Sequence, residues 1–226
     1  MKVRGTMNEN AISPVVGVML MLVVTIIIAA VVSGFAGGLA DSTQKAPQLV
    51  MDVSIKNTGH WQTSFILFDV KSLSEPIPTK DLRIATSWRT SGGVSGGNVT
   101  AAGLNAPNTM GEYHSPIGYG KGITLMSGSS QKLFTPYDVG QHFGNYTLMG
   151  GTTMRNGPTS TYGETAMSLG DLRYQYRPAH GSDIDAMQAI LGANWNATRS
   201  GDVVDVRITH LPSGKVIFTQ SVVVQG

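Results

Sequence analysis

From Asn10 to Ala40 the chain contains no Asp, Glu, Lys or Arg, a run of 31 residues that reads NAISPVVGVMLMLVVTIIIAAVVSGFAGGLA. Such a run is a membrane-type segment. A helix from about Pro14 to Gly38 would be on the order of 37 Å long at about 1.5 Å per residue, enough to cross a hydrocarbon core of roughly 30 Å. Pro14 suits the first turn, where its missing N–H costs nothing. The apolar stretch is nearly twice the roughly 7 to 15 residues of a secretory signal core. Lys2 and Arg4 precede it, and the positive-inside rule keeps that end cytoplasmic, which puts everything after Asp41 outside.

The last turns of this segment differ from its middle. Ala30, Gly34 and Gly38 repeat every four residues, and Ala29, Ser33 and Gly37 do the same one position earlier. Small residues at that spacing let helices approach closely in lipid, where packing replaces the hydrophobic driving force. Two adjacent stripes point to a helix with several helical neighbours.

The segment from Asn10 to Leu39 closely resembles the N-terminal segment of archaeal type IV pilins. The resemblance implies a short basic leader (1–11) cut by a prepilin peptidase after Ala11, leaving Ile12 as the new N-terminus. Ser13, Pro14, Val15, Val16 and Gly17 stand as the family's SPVVG block. It further implies a membrane-anchored precursor, an assembly platform with its ATPase, and a helical polymer of identical subunits whose helices (12–40) pack in the core of an extracellular, adhesive filament. Gly5 lies too far from the apolar run to serve as the cleavage residue. Bacterial relatives carry a Glu at the fifth mature position, where this chain has Val16, so it sides with the archaeal branch. Archaellins share the processing but lack the SPVVG block, which ranks a rotary filament below an adhesive one.

Residues 41–48 are polar with a proline, the composition of a linker. Beyond them the pattern changes from helical to alternating. Leu49, Met51, Val53 and Ile55 alternate with Val50, Asp52, Ser54 and Lys56, and further strands are expected at Phe65–Val70 and Leu82–Trp88. Val204, Val206 and Ile208 alternate with polar residues, Pro212-Ser213-Gly214 supplies a turn, and Val216–Val224 returns as the second arm of a hairpin. The Gly-, Ser-, Thr- and Asn-rich middle, Ser91–Tyr162, offers only short strand-like pieces at Gly122–Met126 and Tyr146–Met149. Ser182 or Asp183 is expected to cap a helix with Ile184, Met187, Ile190 and Leu191 on its apolar face and Gly192 at its end. The fold class expected is α+β: a long apolar helix followed by a mainly β, sandwich-like head over residues 49–226, the pilin architecture.

Composition narrows the function. The 226 residues include no Cys, which excludes disulfide scaffolds, Zn-thiolate sites and thiol nucleophiles. A net charge of +2 without a basic run gives no footprint for nucleic acid. His60, His114, His142, His180 and His210 are isolated in sequence, so neither a metal nor another cofactor is expected, and His210 reads as a hydrogen-bonded strand end. Asp183 and Asp185 form a DxD that suits the positive end of the helix dipole. Gly118-Tyr119-Gly120-Lys121-Gly122 lacks phosphate-loop spacing and reads as a tight turn. No GxSxG or recognisable triad appears, so no enzyme is expected. Sequons at Asn98, Asn145 and Asn196 are candidate glycan attachment points. Trp61, Trp88 and Trp195 are expected to fill core. Two other readings compete: a single-pass membrane-anchored binding protein that never polymerises, and a secreted protein starting at Asp41 after ordinary signal cleavage.

Overall fold

A computed structural model describes residues 12–40, 45–103, 109–110, 113–125, 138–160, 163–164, 166–167, 173–177 and 185–226. The chain divides into two compact units, residues 1–44 and 45–226. The first contains one helix, α1 (Ile12–Ala40). It starts two residues before and ends two residues after the Pro14–Gly38 span, because nothing in the sequence breaks it until the polar residues after Ala40. The leader residues up to Ala11, with Lys2 and Arg4, lie outside the described residues.

The second unit is built on alternation. Its principal sheet comprises β1 (Leu49–Lys56), β2 (Phe65–Leu73), β3 (Leu82–Arg89), β4 (Ser95–Gly96), β5 (Val99–Ala101), β6 (Ile117–Gly120), β7 (Thr152–Asn156), β8 (Val203–His210) and β9 (Lys215–Gln225). Hydrogen-bonded neighbours follow the order β4-β3-β8-β9-β1-β2-β7-β6, with β5 also paired to β3. In β1, Leu49, Met51, Val53 and Ile55 are buried, and Val50 and Asp52 face out. The β8–β9 hairpin runs in register from Val203↔Val223 to His210↔Lys215, with a bulge at Ile208/Thr209.

Two groups of strands meet at a narrow seam. β1 and β9 pair in parallel only at Ile55↔Val224 and Lys56↔Gln225. Just past this seam the buried Asn57 donates its backbone N–H to the Gln225 carbonyl at 2.8 Å, and its Nδ2 to the Thr198 carbonyl at 2.9 Å. A buried amide with its groups engaged in this way fixes the join, because leaving any of them unpaired would cost about 1–3 kcal/mol. Inward residues from both groups, among them Phe68, Ile84, Met154, Val206 and Ile208, belong to one continuous core. Trp88 and Trp195 are buried in it and Trp61 packs against it, the core-filling roles expected of the tryptophans.

The helix expected near residue 187 is a short one, α2 (Gln188–Leu191). Ser182, Asp183 and Ile184, expected as its caps and first face residue, lie outside the described residues. The capping side chain is instead Asp185, whose Oδ1 accepts the Gln188 N–H at 2.6 Å while its carbonyl accepts that of Ala189. At the other end the carbonyls of Ala189, Ile190 and Leu191 accept hydrogen bonds from Asn98 Nδ2, Thr86 Oγ1 and Trp88 Nε1 at 2.9, 2.6 and 2.7 Å. Carbonyls that any helix end leaves without a partner are thus satisfied by side chains about a hundred residues away. Gly192 ends α2 at φ +83°, and a Cβ there would sit 2.3 Å from the Gly97 carbonyl oxygen, so only glycine fits.

The middle segment departs from its sequence reading in two places. Gly118-Tyr119-Gly120 belongs to β6, and only Lys121-Gly122 turns. A Cβ at Gly118 would lie 2.9 Å from the Tyr146 ring, so glycine is needed here for packing against that ring. Residues 122–125 are turn and irregular chain, with Met126 outside the described residues. The Gly122 carbonyl accepts the Thr147 N–H at 3.1 Å. The Tyr146–Met149 piece is a two-residue strand, Thr147–Leu148, paired with Ile77–Pro78.

Tyr146 is buried and donates its hydroxyl to the Pro116 carbonyl at 2.9 Å. Burial pushes its hydroxyl well above the ordinary tyrosine value, and Tyr119 beside it adds to the effect. Burial also pushes Tyr119 up to about 12, against a smaller opposing pull from Arg155. Both groups therefore stay protonated when folded at a pH where the unfolded chain ionises them. Their contribution to stability is complete below about pH 10 and is lost as pH rises through about 12 for Tyr119, and further still for Tyr146. Urea-unfolding midpoints measured up to about pH 12 should fall across that window, and Tyr119→Phe should flatten the fall.

Candidate functional site

Two features of the chain offer chemistry to a partner: the surface of α1, and a pocket on the β-rich unit. In α1 the described side chains from Val15 to Ser33 are all exposed. The stretch is long and apolar enough to cross a membrane. At about 1.5 Å per residue the 29 residues of α1 span about 43 Å. The helix has no acidic residue in its first turn and no basic residue in its last, so no charge favours a wet end. A helix apolar around its whole circumference belongs among other apolar groups, whether lipid or protein.

Its one mid-helix hydroxyl is already spent. Thr25 Oγ1 bonds back to the carbonyls of Met21 and Leu22 at 3.0 and 2.8 Å, which removes a polar group that hydrocarbon would otherwise leave unsatisfied. Ile12 is the first residue of α1, followed by Ser13, Pro14, Val15, Val16 and Gly17, while Ala11 lies outside the described residues. Ala29, Ala30 and Ser33 are exposed, and Gly34, Gly37 and Gly38 continue their two stripes to the helix end.

The remaining sequence candidates are scattered. His210 ends β8 and its Nδ1 lies 2.9 Å from Ser213 Oγ, the hydrogen-bonded strand end expected of it. The ring of His142 lies 6.3 Å from that of His114, His60 Nε2 accepts from Arg173 Nε at 3.1 Å, and His180 is outside the described residues. No three His, Asp or Glu residues come together among the described residues. The sequons differ in surroundings. Asn145 is exposed; Asn98 is half-buried with its amide on α2 and with Thr100, the third residue of its sequon, fully buried; Asn196 is half-buried and donates Nδ2 to the Tyr174 carbonyl at 3.0 Å.

The pocket was not legible in the sequence. It has a volume of about 550 Å³, and its lining includes Tyr174, Gln175, Gln188, Asn194, Trp195 and Asn196. Trp195 is buried behind it, held by a hydrogen bond from Nε1 to Asp185 Oδ2 at 3.1 Å. Tyr174 is fixed by its N–H on the Gly59 carbonyl at 3.1 Å and by the Arg199 guanidinium 3.7 Å from its ring centroid. The aromatic and amide cluster Asn194-Trp195-Asn196 was the one signal available, and the sequon pattern drew attention to Asn196 alone.

Comparison with known proteins bears on the helix. Residues 10–51 match the family described as archaeal type IV pilin, N-terminal. An uncharacterized protein of Archaeoglobus fulgidus is 44% identical over 45 residues, which is 20% of this chain and 32% of that relative. The aligned stretch thus spans about a third of the relative's length.

Asp185 supports both α2 and the pocket's tryptophan. Asp185→Ala removes the cap and leaves the buried Trp195 N–H without this acceptor, so it should cost about 2–4 kcal/mol. Chemical unfolding of the folded chain checks this, and a loss under about 0.5 kcal/mol, the level of an ordinary surface substitution, would contradict the assignment.

Proposed function

We propose that this chain, whose N-terminal segment is that of an archaeal type IV pilin with an α+β, pilin-like architecture behind it, is the structural subunit of an extracellular adhesive pilus. In this reading a prepilin peptidase cuts the membrane-anchored precursor after Ala11. Ile12 becomes the N-terminus, and the assembly platform and its ATPase draw α1 out of the lipid into a bundle of identical helices. The work is mechanical, with no catalytic step.

The observation that carries this is the uncovered apolar surface of α1. Burying a helix of this length among like helices removes apolar surface on the order of 2,000 Å², and about 25 cal/mol per Å² of that holds subunits together without covalent links. A contact that does not close on itself generates a helical polymer instead of a ring. The β-rich unit then covers the filament's exterior and meets whatever the pilus adheres to.

N-terminal sequencing of sheared surface material should give a start at Ile12. A start at Met1 in detergent-soluble monomers would instead indicate a membrane-anchored binding protein. Gly34→Asp puts a charge into the small-residue stripe and should abolish filaments in electron micrographs while the head remains folded. Of the three sequons, Asn145 presents the exposed side chain. Glycopeptide mapping of native material should find Asn145 the most occupied, and three bare asparagines would refute glycosylation.

A further inference from the structure

We propose that the pocket beside α2 binds a neutral sugar residue of a glycan. As the ligand site of an adhesive subunit this rests on the reading above, whereas its chemistry rests on the pocket alone. The volume of about 550 Å³ falls within the roughly 300–1,000 Å³ of small-ligand sites. Among the described residues, four amide side chains, Gln175, Gln188, Asn194 and Asn196, line it, and no charged side chain does. Side-chain amides carry N–H donors and a carbonyl acceptor, the combination that sugar hydroxyls, themselves donors and acceptors, require, although one Asn196 N–H is already engaged by the Tyr174 carbonyl. A phosphate, carboxylate or ammonium ligand would call for a lining of opposite charge. Tyr174 and Ala193, backed by the buried Trp195, add an apolar wall for the C–H groups of a pyranose ring.

The walls are held in place before any ligand arrives. Tyr174 and Asn194 have φ of +63° and +62°, and among the described residues they are the non-glycine residues with positive φ. A tyrosine in that region costs free energy, and such outliers persist where surrounding contacts over-determine them, often at ligand sites. Here the contacts are visible. The Gly59 carbonyl and Asn196 Nδ2 hold the Tyr174 backbone on both sides, and Arg199 lies over its ring while bonding the Asn196 and Thr198 carbonyls at 2.8 and 2.9 Å. Arg199 is thereby engaged in fixing the pocket wall. A pre-formed polar pocket loses less ordering entropy when it binds.

The test uses the full chain, made in a host that adds no N-glycan and kept in a detergent without a sugar headgroup. It is applied to arrays of neutral oligosaccharides, hexose and N-acetylhexosamine, alongside sialylated and sulfated ones. Neutral glycans should be retained, and calorimetric titration of the best of them should show at least tenfold weaker binding to the double variant Gln175→Ala, Asn194→Gly. Glycine adopts φ +62° without strain and Gln175 is exposed, so this variant keeps the fold, which its unfolding curve checks. No retention of neutral glycans, preference for the anionic ones, or equal affinity of variant and parent would each overturn the proposal. Filament formation is scored separately: its loss with sugar binding intact strikes the pilus reading and not the pocket.

Discussion

The governing constraint on this molecule is a helix whose described residues from Val15 to Ser33 are exposed and form a stretch long and apolar enough to cross a membrane. The central backbone of α1 is satisfied within the helix and the Thr25 hydroxyl is bonded back to the preceding turn, so little that is polar remains in its middle to favour water. Its described side chains are exposed and apolar. Such a surface is stable in lipid and stable among copies of itself, and poorly stable anywhere between. Those two environments are the ones the proposed filament subunit meets, first as a membrane-anchored precursor and then as a polymer.

In the proposed polymer, the absence of charge in α1 also limits how neighbouring copies find their register. Val16 occupies the position where a buried glutamate would offer a single strong contact to a neighbour's N-terminal amine. Without it, register falls to shape, and the two small-residue stripes near the helix end are where shape varies most. The β-rich unit solves the opposite problem. It closes its own core at a two-residue seam locked by Asn57, and it fastens a four-residue helix at both ends with side chains from β3, Asn98 and Asp185. A helix that short has little stability of its own. Its place is set by those bonds.

What the sequence made legible follows from how much periodicity each element carries. The 31-residue uncharged run and the alternation of β1, β3, β8 and β9 extend over enough residues for their period to be read, and they predicted α1, the strands and the C-terminal hairpin. Two-residue strands such as Thr147–Leu148 contain no period, so the glycine-rich middle stayed opaque. Gly118 looked like a turn residue because glycine's need for an aromatic neighbour cannot be seen from sequence. Asp185 looked like a dipole-stabilising surface carboxylate. It is a buried cap because Trp195, ten residues on, folds back against it. The pocket depends on Tyr174 meeting Gly59, residues more than a hundred apart, and no local pattern encodes that contact.

The two units therefore tolerate change for different reasons. An exchange of one large aliphatic residue for another in Val15–Ile28 leaves a surface that lipid and neighbouring helices accept equally well, because neither environment reads more than apolar character and approximate volume. In the proposed polymer, a larger residue in the Ala30-Gly34-Gly38 or Ala29-Ser33-Gly37 stripe would change the distance at which helices meet, and so act on every subunit contact. In the head, the outward face of β1 and the hairpin are free to vary, whereas Asn57 and Gly192 are tied to partners distant in sequence and Asp185 to Gln188 and the buried Trp195. In the proposed filament, selection would thus bear on small residues in one unit and on buried polar residues in the other, which leaves the exposed surface of the head to adapt to a target without disturbing assembly.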